Sequence, residues 1–474
     1  MAIAAPQRMS TNPLLVVLRD VGSELLSRGR DTFPPGPTNF DMGRTRQFAH
    51  DPLAILLQLY EEHGPIFTAR VFYERMVFMI GPEANHYVTV SHPQNFHWRE
   101  SHFGDLIPLL GDGLLTIDGP YHDRARRIMM PAFHRERIAE TVETMIAETR
   151  GAITNWRPGE VIDVYQWMRG LAMRIAMRAL LGLDPDDRGR GAAAAEHLER
   201  ALSFYGTEFH MRLLRGPGSP WRRLLLSRRA LDEIVYDEIA LRRAEPAPGR
   251  SDILGMLLAA EDEDGSRLSD KEVRDQLMTL MFAGHDTSTS TLSFLMYELA
   301  RHPQALTRLY EEQDRVLGEE DPTYEQIEHG LPELDMALDE TLRLYPPAWI
   351  GSRRAVRDFE FGGYAVPRRA WVHYCSWASH RIPEVFPDPE AFIPERFTPE
   401  RKAQLPKGAY VPFGGGSRIC IGKRFGQTEL KLVATLLLRR FRLELLPGRT
   451  ITVRQMPTLS PREPLLMRVR ARGG

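Results

Sequence analysis

A glycine-rich loop near the end of the sequence holds Cys420, one of only two cysteines among 474 residues. The loop reads Phe413-Gly-Gly-Gly-Ser-Arg-Ile-Cys-Ile-Gly422. Consecutive glycines let the backbone approach a flat partner closely. A lone cysteine is usually a small buried hydrophobe, but the apolar helix predicted after this one would favour its thiolate at the helix N-terminus. Together with Arg418, a cation suited to a carboxylate, the loop offers a thiolate and an anion clamp.

A weak point in a long apolar helix is the second candidate. Ser269-x-x-Glu272 is a capping box that predicts the start of this helix, and Pro303 lies just beyond its end. About 30 residues at 1.5 Å each would span ~45 Å. Its middle, Leu280-Met-Phe-Ala-Gly-His-Asp-Thr-Ser288, contains poor helix formers. We interpret it as a helix opened to admit a ligand, with a tolerated irregularity as the alternative.

The elements that must position these residues follow from hydrophobic periodicity. Strands are predicted at both ends of the chain and helices in the middle, which favours one large domain whose ends meet in space. We predict a flexible leader over residues 1–33 and a single catalytic domain over 34–474. The predicted segments are strands at 65–71 and 76–80 with a turn at 73–75, helices over about 120–345 with a loop at 243–250, strands at 359–366 and 371–375, and short strands after 440.

Composition excludes several classes of protein. The formal net charge of -2 gives no argument for nucleic acid binding. Two cysteines, Cys375 and Cys420, cannot build a disulfide framework, so we expect a reducing compartment and place the protein in the cytoplasm. We assign Cys375 to the core of a strand. The apolar run Pro13-Leu-Leu-Val-Val-Leu18 is far shorter than the roughly 20 residues of a membrane span, and no secretory cleavage site is evident.

Five positions of the cysteine loop carry a resemblance to a known family. Phe413, Gly416, Arg418, Cys420 and Gly422 match Phe-x-x-Gly-x-Arg-x-Cys-x-Gly, the haem-binding signature of the cytochrome P450 family. Four more segments resemble family motifs, in the family's order and within roughly residues 34 to 465: Asp118–Arg126, Ala283–Thr287, Glu340–Arg343 and Pro394–Phe397.

The resemblance implies a fold and a cofactor. The fold is mainly α with small β-sheets (α+β), with haem b between the long central helix and the cysteine-ligand helix. Cys420 would be the axial ligand, since a thiolate favours O–O bond cleavage. Further contacts with the haem would come from the signature positions Phe413, Gly416 and Gly422 and from Ala283 and Gly284 on the long helix.

Basic residues of three segments resemble the family's haem propionate partners. They are Arg418, the pair His122 and Arg126, and Arg353. His122 and Arg126 share one helix face because they are four residues apart. Many relatives have a Trp in this segment where the present sequence has His-x-x-x-Arg, which leaves the partner there open. Arg354 is the rival of Arg353.

The resemblance also assigns the oxygen chemistry and one structural cluster. Protons must enter an otherwise dry site, and a carboxylate such as Asp286 can relay them while the hydroxyl of Thr287 holds water in place. Bonding of Thr287 to the carbonyl four residues earlier is compatible with that role. His285 is expected to be a packing or relay neighbour. Glu340, Arg343 and Arg396 would form a buried structural charge triad.

The implied substrate is a hydrophobic small molecule, such as a fatty acid, terpenoid, steroid or polyketide. By family position, the residues lining its site lie in five segments: Phe96–Leu110, Phe204–Leu214, Met278–Ala283, Ala348–Gly351 and Met456–Leu459. For Arg212 and Arg215 a solvated face is favoured over a role in binding a substrate carboxylate.

The implied reaction inserts one atom of O₂ into the substrate by hydroxylation or epoxidation. Electrons would come from a separate ferredoxin or flavodoxin with its NAD(P)H reductase, and we expect a monomer. A basic docking surface for an acidic partner is predicted, built from Arg124, Arg127, Arg135, Lys423 and Arg424.

Three alternatives remain beside the monooxygenase. An H₂O₂-dependent peroxygenase, or a haem-binding protein without turnover, would not need Asp286 and Thr287. A zinc protein would need a spaced set of His and Cys ligands, which neither cysteine has around it.

Overall fold

The computed structural model describes residues 15, 17–18, 21–22, 32–187, 189–245, 252–262, 264–318 and 320–472. The predicted leader lies almost wholly outside the described residues, as does most of the predicted loop at 243–250. By its contacts the chain divides into two compact units. The first comprises Met1–Tyr121, Ala348–Ala391 and Ala403–Cys420, and the second comprises His122–Pro347, Phe392–Lys402 and Ile421–Gly474. The single domain over 34–474 stays a prediction.

Helices make up most of the described chain. In order they are α1 (Met42–His50), α2 (Pro52–His63), α3 (Pro82–His86), α4 (Ile107–Leu110), α5 (Gly119–Met129), α6 (Arg135–Ile153), α7 (Val164–Ala176), α8 (Arg190–Leu202), α9 (Phe209–Arg212), α10 (Pro220–Ala244), α11 (Ile253–Ala259), α12 (Asp270–Arg301), α13 (Pro303–Val316), α14 (Tyr324–His329), α15 (Pro332–Leu344), α16 (Ser376–Ser379), α17 (Pro399–Gln404) and α18 (Lys423–Leu438). Short 3₁₀ or π turns lie at Tyr87–Ser91, Pro93–Asn95, His102–Leu106, Met130–Phe133, Met177–Leu181, Pro394–Phe397 and Gly416–Arg418.

The strands lie close to where the sequence predicts them. They are β1 (Ile66–Val71), β2 (Glu74–Met79), β3 (Phe96–His97), β4 (Val161–Asp163), β5 (Ile350–Ala355), β6 (Phe359–Phe361), β7 (Tyr364–Val366), β8 (Trp371–Cys375), β9 (Phe441–Leu445), β10 (Val453–Arg454), β11 (Ser460–Pro461) and β12 (Leu466–Ala471). The turn between β1 and β2 is Phe72–Tyr73, one residue earlier than predicted. β4 interrupts the stretch that was predicted to be helical and pairs with β12.

The first unit contains a five-stranded sheet in the order β1-β2-β8-β5-β3. Strands from the front of the chain pair here with strands some 300 residues later: β2 runs parallel to β8, with Met76 opposite Trp371. The predicted meeting of the two strand regions is therefore confirmed. Cys375 ends β8 and is fully buried, as predicted, and burial raises the pKa of its thiol to about 12.

The long helix α12 begins and ends where its signals predict. Ser269 and Glu272 form the full capping box, and the helix stops at Arg301, two residues before Pro303. The predicted opening is wrong in one respect, because the helix is continuous over all its 32 residues. Gly284 and the β-branched Thr287 weaken the helix locally. Almost all of its remaining turns are packed in the protein interior, and this packing stabilises the helical conformation.

The predicted charge triad lies in the second unit. Glu340 and Arg343 on α15 are fully buried, and Nε and Nη2 of Arg343 donate to the two carboxylate oxygens at 2.7 and 2.8 Å. Nε of Arg396 lies 3.4 Å from Oε1 of Glu340, and the backbone N–H of Ile393 donates to the same oxygen. The triad thus fixes the segment after Phe392 to α15, as a structural cluster.

Candidate active site

The loop before α18 displays Cys420 on a rigid turn. The backbone N–H of Cys420 donates to the carbonyl of Phe413 at 3.0 Å. Gly416 has a positive φ of 60°, and a Cβ there would lie 2.2 Å from the carbonyl oxygen of Thr89, so no other residue fits this close approach. Cys420 itself is exposed. The loop therefore presents a thiol outward from a backbone that packing has already fixed.

One detail of the predicted loop needs correction. α18 begins at Lys423 with Gly422 as its N-cap, so Cys420 precedes the helix by three residues and is not part of its first turn. The unpaired amides of a helix act mainly within that turn. Their effect on the thiolate is therefore weaker than the sequence suggested.

Arg418 already has a carboxylate partner in its own unit. Its Nη2 donates to Oδ1 of Asp118 at 2.8 Å, and its Nη1 donates to the carbonyl of Ile117 at 2.9 Å. Asp118 also accepts hydrogen bonds from the backbone N–H groups of Trp98 and Arg99, each at 2.9 Å. Sequence patterns do not predict this pairing of Arg418 with Asp118, because 300 residues separate the two partners.

The structure distinguishes Arg353 from its rival Arg354. Arg353 is 2 % exposed, lies 3.8 Å from the ring centroid of Trp98, and forms no ion pair with any described residue. Burial lowers the pKa of this guanidinium. Neighbouring residues of a strand point to opposite faces, and the guanidinium of Arg354 lies over Trp371 instead, 4.2 Å from the ring centroid.

Helix α5 carries the predicted pair His122 and Arg126. His122 is buried, and its Nδ1 lies 2.9 Å from Oδ1 of Asp123. Arg126 is half-buried one turn further along. The common helix face that was predicted for the two residues is confirmed.

The centre of α12 is open on one side. Most residues from Val273 to Leu299 are buried, but Phe282, Ala283, Gly284 and Thr287 are half-exposed. A Cβ at Gly284 would meet nothing within 4 Å. The hydroxyl of Thr287 donates to the carbonyl of Ala283 at 2.7 Å, which is the back-bonded state that the sequence allows. A flat group therefore has room at this face of the helix.

Next to that face, two acids and two bases form a partly buried group, here called the Asp286 cluster: Arg169, Glu199, His285 and Asp286. Nη1 of Arg169 donates to Oδ1 of Asp286 at 2.6 Å, and its Nη2 donates to Oε2 of Glu199 at 2.7 Å. Nδ1 of His285 lies 3.1 Å from Oδ1 of Asp286, and Nε2 lies 3.3 Å from Oε1 of Glu199.

The cluster sets the charge of its members. Burial on its own raises the pKa of Asp286, but His285 and Arg169 outweigh burial and hold that pKa below its ordinary value. Burial likewise lowers the pKa of His285, and its two carboxylate neighbours more than reverse this. Sequence reasoning missed Arg169 and Glu199, which lie on α7 and α8, far from α12 along the chain.

A second buried acid near α12 was also missed. Glu429 on α18 is 4 % exposed, and its Oε2 accepts a hydrogen bond of 2.7 Å from the hydroxyl of Ser288. No ion pair to it forms among the described residues, and burial raises its pKa to about 7. The sequence signal that could have predicted this buried acid is a glutamate within the apolar face of α18.

Comparison with known proteins settles the family. A family model for cytochrome P450 matches residues 33–469. The chain belongs to the cytochrome P450 family. It is therefore an oxidoreductase, a monooxygenase whose cofactor is haem b and which uses O₂ and a hydrophobic substrate. No helix among the described residues of this P450 is long and apolar enough to cross a membrane.

Several relatives cover most of this P450. Cyclooctat-9-en-7-ol 5-monooxygenase of Streptomyces melanosporofaciens is 34% identical over 86% of this chain and 89% of its own. Cyclooctatin synthase of the same organism is 35% identical over 74% of this chain and 77% of its own. The retinoic acid bound cyanobacterial CYP120A1 superposes with a TM-score of 0.82 at 29% identity, covering 93% of this chain and 99% of its own.

The residues present fit a haem. A haem needs an iron ligand, cations for its two propionates and a flat space. The described residues include an exposed thiol at Cys420, a buried cation at Arg353 that forms no ion pair with another described residue, and an open helix face at Gly284. Over the described residues no group of three or more His, Cys, Asp and Glu side chains could hold a metal ion.

We expect Glu429 to make stability fall as the pH rises. With its pKa raised from 4.5 to about 7, the folded protein keeps a proton that the unfolded chain loses first. Stability is therefore full below pH 4.5 and declines until about pH 7, by on the order of 3 kcal/mol. Glu429→Gln should lack this decline in urea unfolding of the holoprotein between pH 5 and 8. Glu140→Gln, at an exposed acid, should follow the wild type; parallel curves for all three proteins would contradict the assignment.

Proposed function

We propose that Cys420 binds the haem iron as a thiolate. The observation that carries this proposal is the exposed thiol on a glycine loop whose backbone is fixed by close packing against Thr89. Cys375 is unsuitable, since it is buried and burial raises its pKa to about 12. Haem b bound through a thiolate supplies the redox chemistry that cleaves O₂. Because the proposed ligand must be a reduced cysteine, we also place the enzyme in the cytoplasm.

Four basic residues are assigned to the haem propionates: Arg353, Arg418, His122 and Arg126. Arg353 is the strongest of them, because a buried guanidinium without a counter-charge is costly and a propionate would supply one. Arg418 would share its donors between a propionate and Asp118. Phe413, Gly416, Gly422, Ala283 and Gly284 complete the surfaces against the flat faces of the haem.

Asp286 and Thr287 are assigned to proton delivery. Asp286 is held as a carboxylate by Arg169, and it can take a proton from solvent and pass it on. Thr287 lies on the half-exposed face of α12, where its hydroxyl can hold a water molecule. This pair supports an O₂-dependent monooxygenase over a peroxygenase or a haem-binding protein without turnover, neither of which needs it.

For the substrate class we propose a terpenoid. Two relatives are named for cyclooctatin compounds and a third was solved with retinoic acid. Three of the predicted substrate segments also approach one another within the second unit. The rings of Tyr205 and Phe282 lie 5.9 Å apart, and a Cβ at Gly206 would lie 3.9 Å from Pro457. Large apolar and aromatic side chains of this kind suit a polycyclic or isoprenoid hydrocarbon.

Arg212 and Arg215 offer little to a substrate carboxylate. The guanidinium of Arg215 stacks on Trp221 at 4.2 Å and its Nη1 donates to the carbonyl of Arg212 at 2.7 Å. These contacts of Arg215 with neighbouring residues agree with the prediction that it does not bind a substrate carboxylate. A substrate with few charged groups therefore fits best.

Electrons are proposed to come from a ferredoxin or a flavodoxin with its NAD(P)H reductase, acting on a monomer. Four of the five predicted docking residues carry a carboxylate neighbour of their own. The pairs are Arg124–Glu272, Arg127–Asp262, Arg135–Glu325 and Arg424–Glu328. Paired charges produce a weaker field than bare ones, so we expect only a moderate salt dependence of reduction.

A matched pair of cysteine variants tests the ligand. Cys420→Ser should abolish the long-wavelength Soret band that thiolate-ligated haem shows when reduced and bound to carbon monoxide, because serine offers no thiolate. Cys375→Ser should keep it. An unchanged band in Cys420→Ser, measured on fresh protein with its haem content verified, would rule out this ligand.

A second matched pair tests the two neighbouring arginines. Arg353→Leu should lower haem occupancy and weaken haem uptake by the apoprotein by roughly tenfold or more, the usual effect of losing a buried charge-assisted pair. Arg354→Leu should change haem uptake less than threefold. Haem content per protein and a haem titration measure both, and a larger effect at Arg354 would reverse the assignment.

Substrate-dependent O₂ uptake with surrogate redox partners tests the reaction. We expect isoprenoid alcohols to shift the haem spectrum and to be oxidised, ahead of fatty acids of equal carbon number. Asp286→Asn should lower product per NAD(P)H by about 10²-fold, the contribution typical of a positioned proton donor. Asp270→Asn, at the exposed start of the same helix, should have no such effect. Product formation with peroxide only would favour the peroxygenase.

A further inference from the structure

The Asp286 cluster is balanced only when His285 is charged. Its two carboxylates, Glu199 and Asp286, face one permanent cation, Arg169, so a neutral His285 would leave one net negative charge. Asp286 is 4 % exposed and His285 is fully buried. An unbalanced charge at such a depth is costly, so the cluster favours the imidazolium.

The contacts of His285 favour a positively charged ring. Nε2 lies 3.1 Å from the carbonyl oxygen of Arg169 and 3.3 Å from Oε1 of Glu199. Nδ1 is buried and lies 3.1 Å from Oδ1 of Asp286, at an angle that gives no full hydrogen bond. Both ring nitrogens thus face oxygen atoms. The other ionisable group that faces the ring is Glu429 on α18, whose pKa burial raises to about 7.

The two oxygens of Asp286 have different surroundings. Both cations approach Oδ1, with Nη1 of Arg169 at 2.6 Å and Nδ1 of His285 at 3.1 Å. No hydrogen bond from the described residues reaches Oδ2. The side chain is therefore anchored through one oxygen, and the second oxygen is left to exchange a proton with water.

We propose that His285 and Glu199 are positioning residues for the oxygen chemistry. His285, as a cation, anchors Oδ1 of Asp286 so that Oδ2 handles the proton, and Glu199 is the counter-charge that keeps His285 protonated. Glu199 suits this task because its side chain is 38% exposed and reaches from solvent to the buried ring. The inference rests on the proposed role of Asp286 in proton delivery.

A dependence on pH follows. Below the pKa of His285 the cluster is neutral and Asp286 is fixed. Above it the ring loses its charge, Asp286 has one anchor fewer, and the excess negative charge makes its carboxylate hold a proton more tightly. Productive use of reducing equivalents should therefore decline as the pH rises through the pKa of His285.

The first experiment measures His285 itself and involves no turnover. Holoenzyme labelled with ¹⁵N-histidine, in the diamagnetic reduced state bound to carbon monoxide, is titrated by NMR, and His285→Gln identifies the resonance. We expect a midpoint above the ordinary histidine value. Glu199→Gln should lower it by about one pH unit, equal to about tenfold weaker proton binding. Glu196→Gln is the matched control, an exposed acid one turn earlier on α8 that pairs with Arg200, and it should leave the midpoint unchanged.

The second experiment measures product per NAD(P)H against pH for the same proteins. In Glu199→Gln the decline at high pH should move down by the same interval as the NMR midpoint, whereas product formation driven by H₂O₂ should not move. A merely structural Glu199 would lower activity at every pH without shifting the decline. Equal NMR midpoints in Glu199→Gln and Glu196→Gln, or a decline at one pH in all variants, would overturn the proposal.

The two experiments keep this inference apart from the proposed function. If His285 titrates as expected but Asp286→Asn has no effect on product per NAD(P)H, the proton role of Asp286 fails while the charge balance stands. If Asp286→Asn has its effect and the NMR midpoint is insensitive to Glu199, the positioning role fails alone. Should His285→Gln lose its haem, Glu199→Gln still decides, since it replaces a partly exposed side chain.

Discussion

A charge removed from water must find a counter-charge, and this constraint organises the interior of the protein. The energetic cost of an unpaired buried ion is several kcal/mol, comparable to the whole stability of a domain. Glu340 and Arg343 meet it by pairing with each other on one helix. Asp286 meets it through Arg169 on α7 and through His285, its neighbour on α12. Arg353 is 2 % exposed and forms no ion pair with a described residue, so its nearest compensation is the more distant charge of Asp118.

Helix α12 shows how one element serves both packing and chemistry. Most of its length is buried, and this packing keeps the helix continuous through residues that are poor helix formers. This packing lets Gly284 leave an open face and lets Thr287 bond back to Ala283 without breaking the helix. Asp286, the acid beside them, is held by contacts with Arg169 and His285. The same packing therefore keeps α12 continuous and holds Thr287 and Asp286 in position.

The two buried acids near α12 differ because their neighbours differ. Asp286 has two cations within 3.1 Å and is held ionised. Glu429 forms no ion pair with a described residue and accepts a hydrogen bond from the hydroxyl of Ser288. Burial outweighs this bond and the charge of His285, and it raises the pKa of Glu429 to about 7. Below pH 7 the two acids therefore differ in charge, because Asp286 is ionised while most of the Glu429 carboxyl keeps its proton.

The sequence by itself determined the features whose partners lie within a few residues of one another. The capping box of Ser269 and Glu272, the pair Glu340 and Arg343, and the glycine loop of Cys420 follow from local geometry, and the structure contains all three. Tertiary structure alone decided the pairings across long separations: Arg418 with Asp118, Arg169 with Asp286 and Ser288 with Glu429. It also decided that Cys420 precedes α18, and that Arg353 differs from Arg354. The physical reason is that a side chain's charge state depends on what lies within a few ångströms, and folding brings those neighbours from more than 100 residues away.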